Sequence, residues 1–494
     1  MTRSTDGVQL TAATMPTVGR GVAVPDYPRD RAAASTAHLG VGGFHRAHQA
    51  MYHDRLLHGG DPQAGIVGVG VLKADLSMRD ALRRQDCLYT LVAKHRDGTH
   101  DARVIGSLVD YVYAPDDAQA LLALLSEPRI RVVSLTVTEG GYLVDGSGDF
   151  AAGDAGVRRD VAAGESPTSA FGLLIEALRR RRAAGTAPFT VMSCDNLPGN
   201  GTLTRQTVTS FAALRDDALA SWIERETRFP NSMVDRITPG TTHDDRADLL
   251  DRFGVRDRWP VVCEPFTQWV LEDAFVGDRP AYEDVGVQVV DDVEPYELMK
   301  LRMLNAGHQA LGYLGVLAGL TSVYEAADDE LLHAFLAGYL RGEARPTLPE
   351  VPGIDLDDYA ATLLDRFANP HVGDTLARLC ENGSDRIPKF VLPVIRVQLE
   401  SGGELRRAAT VVAAWARYCE GTDDRGGQID IVDRLAERLQ RLAVRDDPRA
   451  FLDQRDVFGD LSRQHRFVDA YVRARESLRE HGARTTLARL TQSI

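Results

Sequence analysis

No apolar run in this sequence approaches the ~20 residues that a helix needs to cross a bilayer, so no membrane partner is expected. The N-terminus, MTRSTDGVQLTAATMPTVGRG, lacks the apolar core of a secretory signal, and the expected compartment is the cytoplasm. Cysteine is scarce. Its five residues, Cys87, Cys194, Cys263, Cys380 and Cys419, are odd in number, scattered and without CxxC spacing. That excludes a disulfide framework and reads as reduced, buried thiols. The one tight histidine cluster, His45, His48 and His53, has neither cysteine neighbours nor an HExxH pattern, and no metal site is expected. Positive charge is also in deficit: 57 Lys and Arg against 71 Asp and Glu leave a net charge of −14. Nucleic acid is therefore not an expected partner.

What is present is a globular composition, 44% hydrophobic and 26% charged, over 494 residues. That length suits two or more domains. Residues 1–35 form a polar lead-in punctuated by Pro and Gly. From residue 36, TAHLGVGGFHRAHQAMYHDRLLHGG predicts strand, glycine turn and helix. Gly40, Gly42 and Gly43 stand where backbone N–H groups can approach a diphosphate. The pattern departs from GxGxxG, and a glycine turn that binds nothing produces it equally well. AGIVGVGVLKAD (64–75) predicts a second strand ending at Asp75. That acid reads either as an anchor for ribose hydroxyls or as the cap of the helix that follows. Further strands are predicted in 129–142, 188–201 and 259–266, with helices over 169–185 and 203–227 between them. Strands alternating with helices predict an α/β fold with a mostly parallel sheet over 36–290. Beyond 290 long helical patterns dominate, so a largely α-helical domain is predicted over 291–494.

The stretch 294–312, EPYELMKLRMLNAGHQALG, predicts one helix rich in strong helix formers. At about 100° per residue, Glu297, Lys300, Asn305 and His308 share one broad face. A buried lysine is costly unless paired or deprotonated, and desolvation lowers a lysine pKa, which suits a general base. A helix whose Lys and Glu face water, with Asn and His satisfying nearby loops, gives the same pattern.

Seven segments taken together carry a family resemblance: GVGGFHRAHQAMY (40–52), RQDCLYTLV (84–92), VSLTVTEGGY (133–142), FTVMSCDNLPGNG (189–201), FPNSMVDRITP (229–239), VVCEPFTQWVLEDAF (261–275) and YELMKLRMLNAGH (296–308). They resemble the polyol-specific long-chain dehydrogenases over about 36–480. The resemblance implies a Rossmann-type NAD-binding domain, a helical substrate-binding domain and metal-independent hydride transfer at C2, with D-mannitol and D-fructose as the expected pair. It implies that Lys300 is the general base, that Asn196 and Asn305 form an oxyanion hole, that His308 contacts substrate and that Glu297 passes protons. Asp235 and Arg378 match positions that bind polyol hydroxyls; the alternative is that they pair with each other. The turn Gly40, Val41, Gly42, Gly43, Phe44 and His45, with Asp75, is the expected cofactor site. His45 and Arg46 read equally as caps of that turn. A monomer is expected.

Two departures stand out. The family's acidic pair after the second strand is Ala74-Asp75 here, and Lys73 lies beside it, which relaxes discrimination against a 2′-phosphate. A lysine of the family is Arg386 here, and a guanidinium fork is not an equivalent donor. Rival readings are a hexuronate reductase or arabinitol dehydrogenase of the same family, and a non-catalytic nucleotide-binding protein on the same fold.

Overall fold

The computed structural model describes residues 7–19, 21–145 and 148–491; residues 1–6 of the expected lead-in lie outside it. The chain divides into two compact units, residues 1–293 and 294–494.

In the first unit five strands form an all-parallel sheet: β1 (Ala34–Leu39), β2 (Gly65–Gly70), β3 (Leu108–Tyr113), β4 (Val132–Leu135) and β5 (Thr190–Ser193), in the order β3-β2-β1-β4-β5. This is the doubly wound order, with the reversal beside β1. Alternate side chains serve opposite faces. Val133, Leu135 and Val191 pack with α4 (Ala118–Ser126), α5 (Ala170–Ala183) and α6 (Asn200–Ala213), while Ile66, Val132 and Met192 pack with α2 (Gln49–His58) on the other side. α1 (Gly43–Ala47) follows the glycine turn, and α3 (Leu76–Arg83) follows Asp75.

Two sequence expectations are corrected. The apolar run at 259–266 forms a strand, Val261–Cys263, but it pairs with Tyr89–Lys94 in a separate four-stranded sheet rather than joining the parallel one. The helix expected over 203–227 is two, because the side chain of Asp216 accepts hydrogen bonds from Ala218 N and Leu219 N and starts a new helix at Asp217. Within the lead-in, Val8–Gln9 pairs with Val255–Arg256, and Val22–Ala23 with Ala102–Arg103. A separate three-stranded sheet joins β6 (Ser232–Asp235), β7 (Gln268–Glu272) and β8 (Gln288–Val290).

The second unit is helical among its described residues. α7 (Glu294–Met299) runs through a π-helical segment, Lys300–Asn305, into α8 (Ala306–Leu317), which is buried at every residue but Val316. Around it lie α9 (Leu376–Cys380), α10 (Arg406–Tyr418) and α11 (His465–Thr491), the last kinked at Gly482. Among the described residues no helix is long and apolar enough to cross a membrane. All five cysteines are buried and free. Burial pushes the Cys263 thiol up to about 11 and that of Cys87 up to about 12.

Buried histidines give the first unit a defined response to acid. His38 bonds Ser134 Oγ at 2.8 Å, and His53 bonds Ala64 O at 2.8 Å through Nδ1. Burial pushes them down to about 3 and about 4. An unfolded histidine titrates near 6.5, so between that pH and the folded values the unfolded state binds more protons. Their stabilisation is complete above pH 6.5 and is lost as pH falls through the window, on the order of 3 kcal/mol for His53 alone. The thermal midpoint should fall steadily from pH 6.5 to 4. The fall should be shallower in His53→Asn, which keeps a donor toward Ala64 O; an unchanged slope would exclude His53 as the cause.

Candidate functional site

After β1 the chain turns through Gly40, whose φ is 93°. A Cβ there would stand 2.2 Å from Thr136 O, and positive φ already disfavours other residues. Thr136 Oγ1 donates to Gly40 O at 2.7 Å, joining the ends of β1 and β4. At Gly42, by contrast, a Cβ would meet only Gly40 O, at 3.9 Å. That side of the turn is open and bordered by backbone, which fits a dinucleotide diphosphate. α1 breaks from α2 at His48 (φ −119°, ψ −89°), so the fit rests on backbone N–H groups more than on a long helix dipole.

The side chains beneath the turn face inward. Val41 is 6% exposed and His45 1%. The His45 ring stacks on His38 with centroids 3.5 Å apart. Arg46 donates from Nε to Gly42 O at 3.3 Å and from Nη1 to Trp259 O. His45 and Arg46 therefore support the turn from below, while Phe44 and Gly43 are half-buried at its rim.

Asp75 lies past the end of β2. Its Oδ2 accepts from Val71 N and Leu72 N, both at 2.9 Å. It is not the side-chain cap of α3. Its other oxygen accepts no hydrogen bond among the described residues, so it can receive a ribose hydroxyl while Oδ2 keeps the turn closed.

Asn196 is exposed in the turn after β5, between two staples. On one side the buried Asp195 carboxylate accepts from Val137 N and Thr138 N, both at 3.0 Å, and from Tyr142 Oη at 2.7 Å. Burial raises the Asp195 pKa against the pull of these donors. On the other, Asn200 Nδ2 donates to Asp195 O at 2.9 Å and Ser232 O at 2.8 Å. Asp235 closes β6, is 3% exposed and stands opposite Gln268 on β7.

In the second unit the regular α-helix expected over 294–312 is interrupted where the polar residues stand. Ala306 N donates to Leu301 O, the i→i+5 bond of a π-helix. A regular helix would set Lys300 and Asn305 about 140° apart. A turn that closes on the fifth residue draws them toward one side. Both are 6% exposed, and His308 is 9% exposed. Asn305 Nδ2 is buried with no hydrogen-bond partner among the described residues, which marks a place for an acceptor. The ring of His308 lies 4.6 Å from that of Phe367, and Glu297 is half-buried one turn before Lys300.

Arg378, on α9, is engaged by Asp374: Nε donates to Oδ1 at 2.6 Å and Nη2 to Oδ2. Burial alone would raise the Asp374 pKa; Arg378, with a smaller contribution from His308, holds it below the usual range. Sequence reasoning missed Asp374, although Asp374 and Arg378 stand four apart, as a helical ion pair does. It also missed Asp195 and Asn200, whose hydrogen bonds left no mark in spacing. Arg386 donates from Nη1 to Arg378 O at 2.9 Å and Leu379 O at 3.0 Å. Both bonds come from one nitrogen of the guanidinium, which thus caps the end of α9. Among the described residues no three His, Cys, Asp or Glu side chains are grouped to hold a metal ion.

Comparison with known proteins places these features. Residues 35–284 match the mannitol dehydrogenase Rossmann domain, and residues 292–479 the mannitol dehydrogenase C-terminal domain. Mannitol 2-dehydrogenase of Aspergillus fumigatus is 44% identical over 481 residues, 95% of either chain. That of Phaeosphaeria nodorum is 44% identical over 475 residues, 95% of this chain and 83% of the other. The Pseudomonas fluorescens mannitol 2-dehydrogenase ternary complex with NAD and D-mannitol superposes with a TM-score of 0.91 at 46% identity, covering 98% of this chain and 100% of the other. A substrate-free D-sorbitol dehydrogenase gives 0.90 at 37% identity, covering 97% and 100%.

The two glycines should separate on substitution. Gly40→Ala should lower stability by roughly 1–3 kcal/mol, from a strained φ and a clash with Thr136 O. Gly42→Ala should leave the melting temperature nearly unchanged yet weaken dinucleotide binding, read by NADH fluorescence titration. Equal NADH affinity in wild type and Gly42→Ala would remove the open face from the binding site.

Proposed function

The chain belongs to the mannitol dehydrogenase family, and we propose that it interconverts D-mannitol and D-fructose with NAD, using Lys300 as acid and base and no metal ion. The observation that carries this reading is the π-helical segment Lys300–Asn305, which bears a buried lysine and a buried amide whose Nδ2 has no partner among the described residues. The backbone of Gly40, Val41, Gly42, Gly43 and Phe44 holds the cofactor diphosphate, and Asp75 takes the ribose hydroxyls. His45 backs the turn.

Bound NAD supplies the hydride acceptor. Lys300 Nζ takes the proton of the C2 hydroxyl. Asn196 and Asn305 donate N–H groups to that oxygen as its charge grows. Amides suit the task because they do not titrate and need no reorganisation. Glu297 receives the proton from Nζ and passes it outward. In the reverse direction Lys300 returns the proton to the oxygen. His308, Asp235 and Arg378 bind the remaining hydroxyls, with Asp374 and Arg386 fixing the guanidinium and the helix that carries it.

The Asp374–Arg378 pair also bears on the rival substrates. A guanidinium already matched by a carboxylate is a poor receptor for a second one, so a neutral polyol fits better than a hexuronate. The likeness to D-sorbitol dehydrogenase makes another hexitol the substrate to test beside mannitol.

NAD reduction should be fastest with D-mannitol in a panel with D-sorbitol and D-arabinitol, and NADH oxidation should be slow with D-fructuronate. Preference for fructuronate would move the protein to sugar acids. Lys300→Ala should reduce kcat by about 10²–10⁴-fold and remove one limb of the pH–rate profile. Asn305→Ala should cost about 10²–10³-fold in kcat. Unchanged turnover of Lys300→Ala across pH would show that another group is the base.

A further inference from the structure

A second concave site lies within the first unit, against the four-stranded sheet. Its lining includes no residue of the glycine turn, Asp75 or the ends of β4 and β5. The cavity measures about 540 Å³, a size that suits a small metabolite. Three guanidiniums line it: Arg55 from α2, Arg103 from the strand His100–Ile105 and Arg236 just after β6. In a chain of net charge −14 this is a local inversion of sign.

The nearby carboxylates do not neutralise it. Asp101, the one acid on the lining, turns to His95 at 2.8 Å, and its side chain is 79% exposed. Asp248 faces His100 at 3.2 Å. Asp54, beside Arg55, accepts from Tyr27 Oη at 2.6 Å and Gly106 N at 2.9 Å. Arg236 is fixed by carbonyls, which leave its charge intact: Nε donates to Glu264 O at 3.0 Å and Nη1 to Ala47 O at 2.6 Å. Arg55 lies over the Tyr52 ring at 5.4 Å. The Arg103 side chain makes no hydrogen bond or ion pair among the described residues. Burial lowers the Arg55 pKa, and the neighbouring cations Arg103 and Arg236 lower it further, against the opposing pull of Tyr52 and Asp54. Like charges around one opening repel unless a counter-charge arrives. Guanidinium forks match phosphate oxygens in pairs, and Met51 and Leu91 add apolar wall for an organic portion.

We propose that this cavity is a binding site for a phosphate group of a small molecule, separate from the dinucleotide site. A free inorganic anion and a sugar ester share this chemistry, and the test distinguishes them. The full chain is titrated by calorimetry with sodium pyrophosphate and with glucose 6-phosphate at constant ionic strength, each with and without saturating NADH. Saturable binding of one molecule per chain is expected, persisting with NADH present and weakened about tenfold or more in Arg103→Gln. Arg55→Gln is the independent second variant, and the melting temperature of each variant confirms folding. Tighter binding of the ester would assign the site to organic phosphates, and equal binding to the phosphate group alone. Absence of saturable binding, displacement by NADH, or undiminished affinity in both variants would overturn the proposal.

Discussion

A parallel strand that must turn into a helix beside its neighbour's carbonyl has little room, and the first unit is arranged around that constraint. Gly40 passes Thr136 O where no side chain fits, and the Thr136 hydroxyl then closes onto the Gly40 carbonyl. This contact locks the ends of β1 and β4 together at the reversal of strand order. Everything beneath serves the same turn: the His38 and His45 rings stacked under it, and Arg46 reaching back to Gly42 and across to Trp259. The rings and the guanidinium of this conspicuous run of histidine and arginine are thus buried beneath the turn.

The second unit solves a different problem. A lysine and an amide must both be kept out of water on one helix. The i→i+5 turn widens the helix where they stand, and the closely packed α8 holds that irregular geometry in place. Behind it, Arg386 and Gln309 both donate to Leu379 O, tying α9 and its Asp374–Arg378 pair to the same framework.

The runs that became β2, β4 and β5 were legible because a strand covered on both faces is mostly apolar and β-branched, whereas β1, with Ser35, Thr36 and His38 inside it, was legible through the glycine turn that follows. The edge strand β3, LVDYVY, was not, because its alternating burial admits Asp110 and hides it among ordinary loops. The break at Asp216 escaped notice because a capping aspartate inside a helical pattern looks like any surface acid. The candidate site was legible as residues, through the resemblance of long motifs, and much less so as geometry. Met, Leu and Lys are good α-formers, and nothing in their order announces a π turn. Arg386 shows the converse: the substitution was visible, but its job of capping α9 was not.

The cysteines carry a practical consequence. Cys87, Cys194 and Cys263 sit in the first unit, Cys380 and Cys419 in the second, and each is sealed from solvent with its thiol pushed toward the protonated form. The thiolate is the reactive species, so alkylation must wait for the surrounding core to open. The chain therefore holds built-in clocks in both of its halves. The order in which the five sulfurs become labelled under mild denaturant reports which half opens first, with no engineered probe.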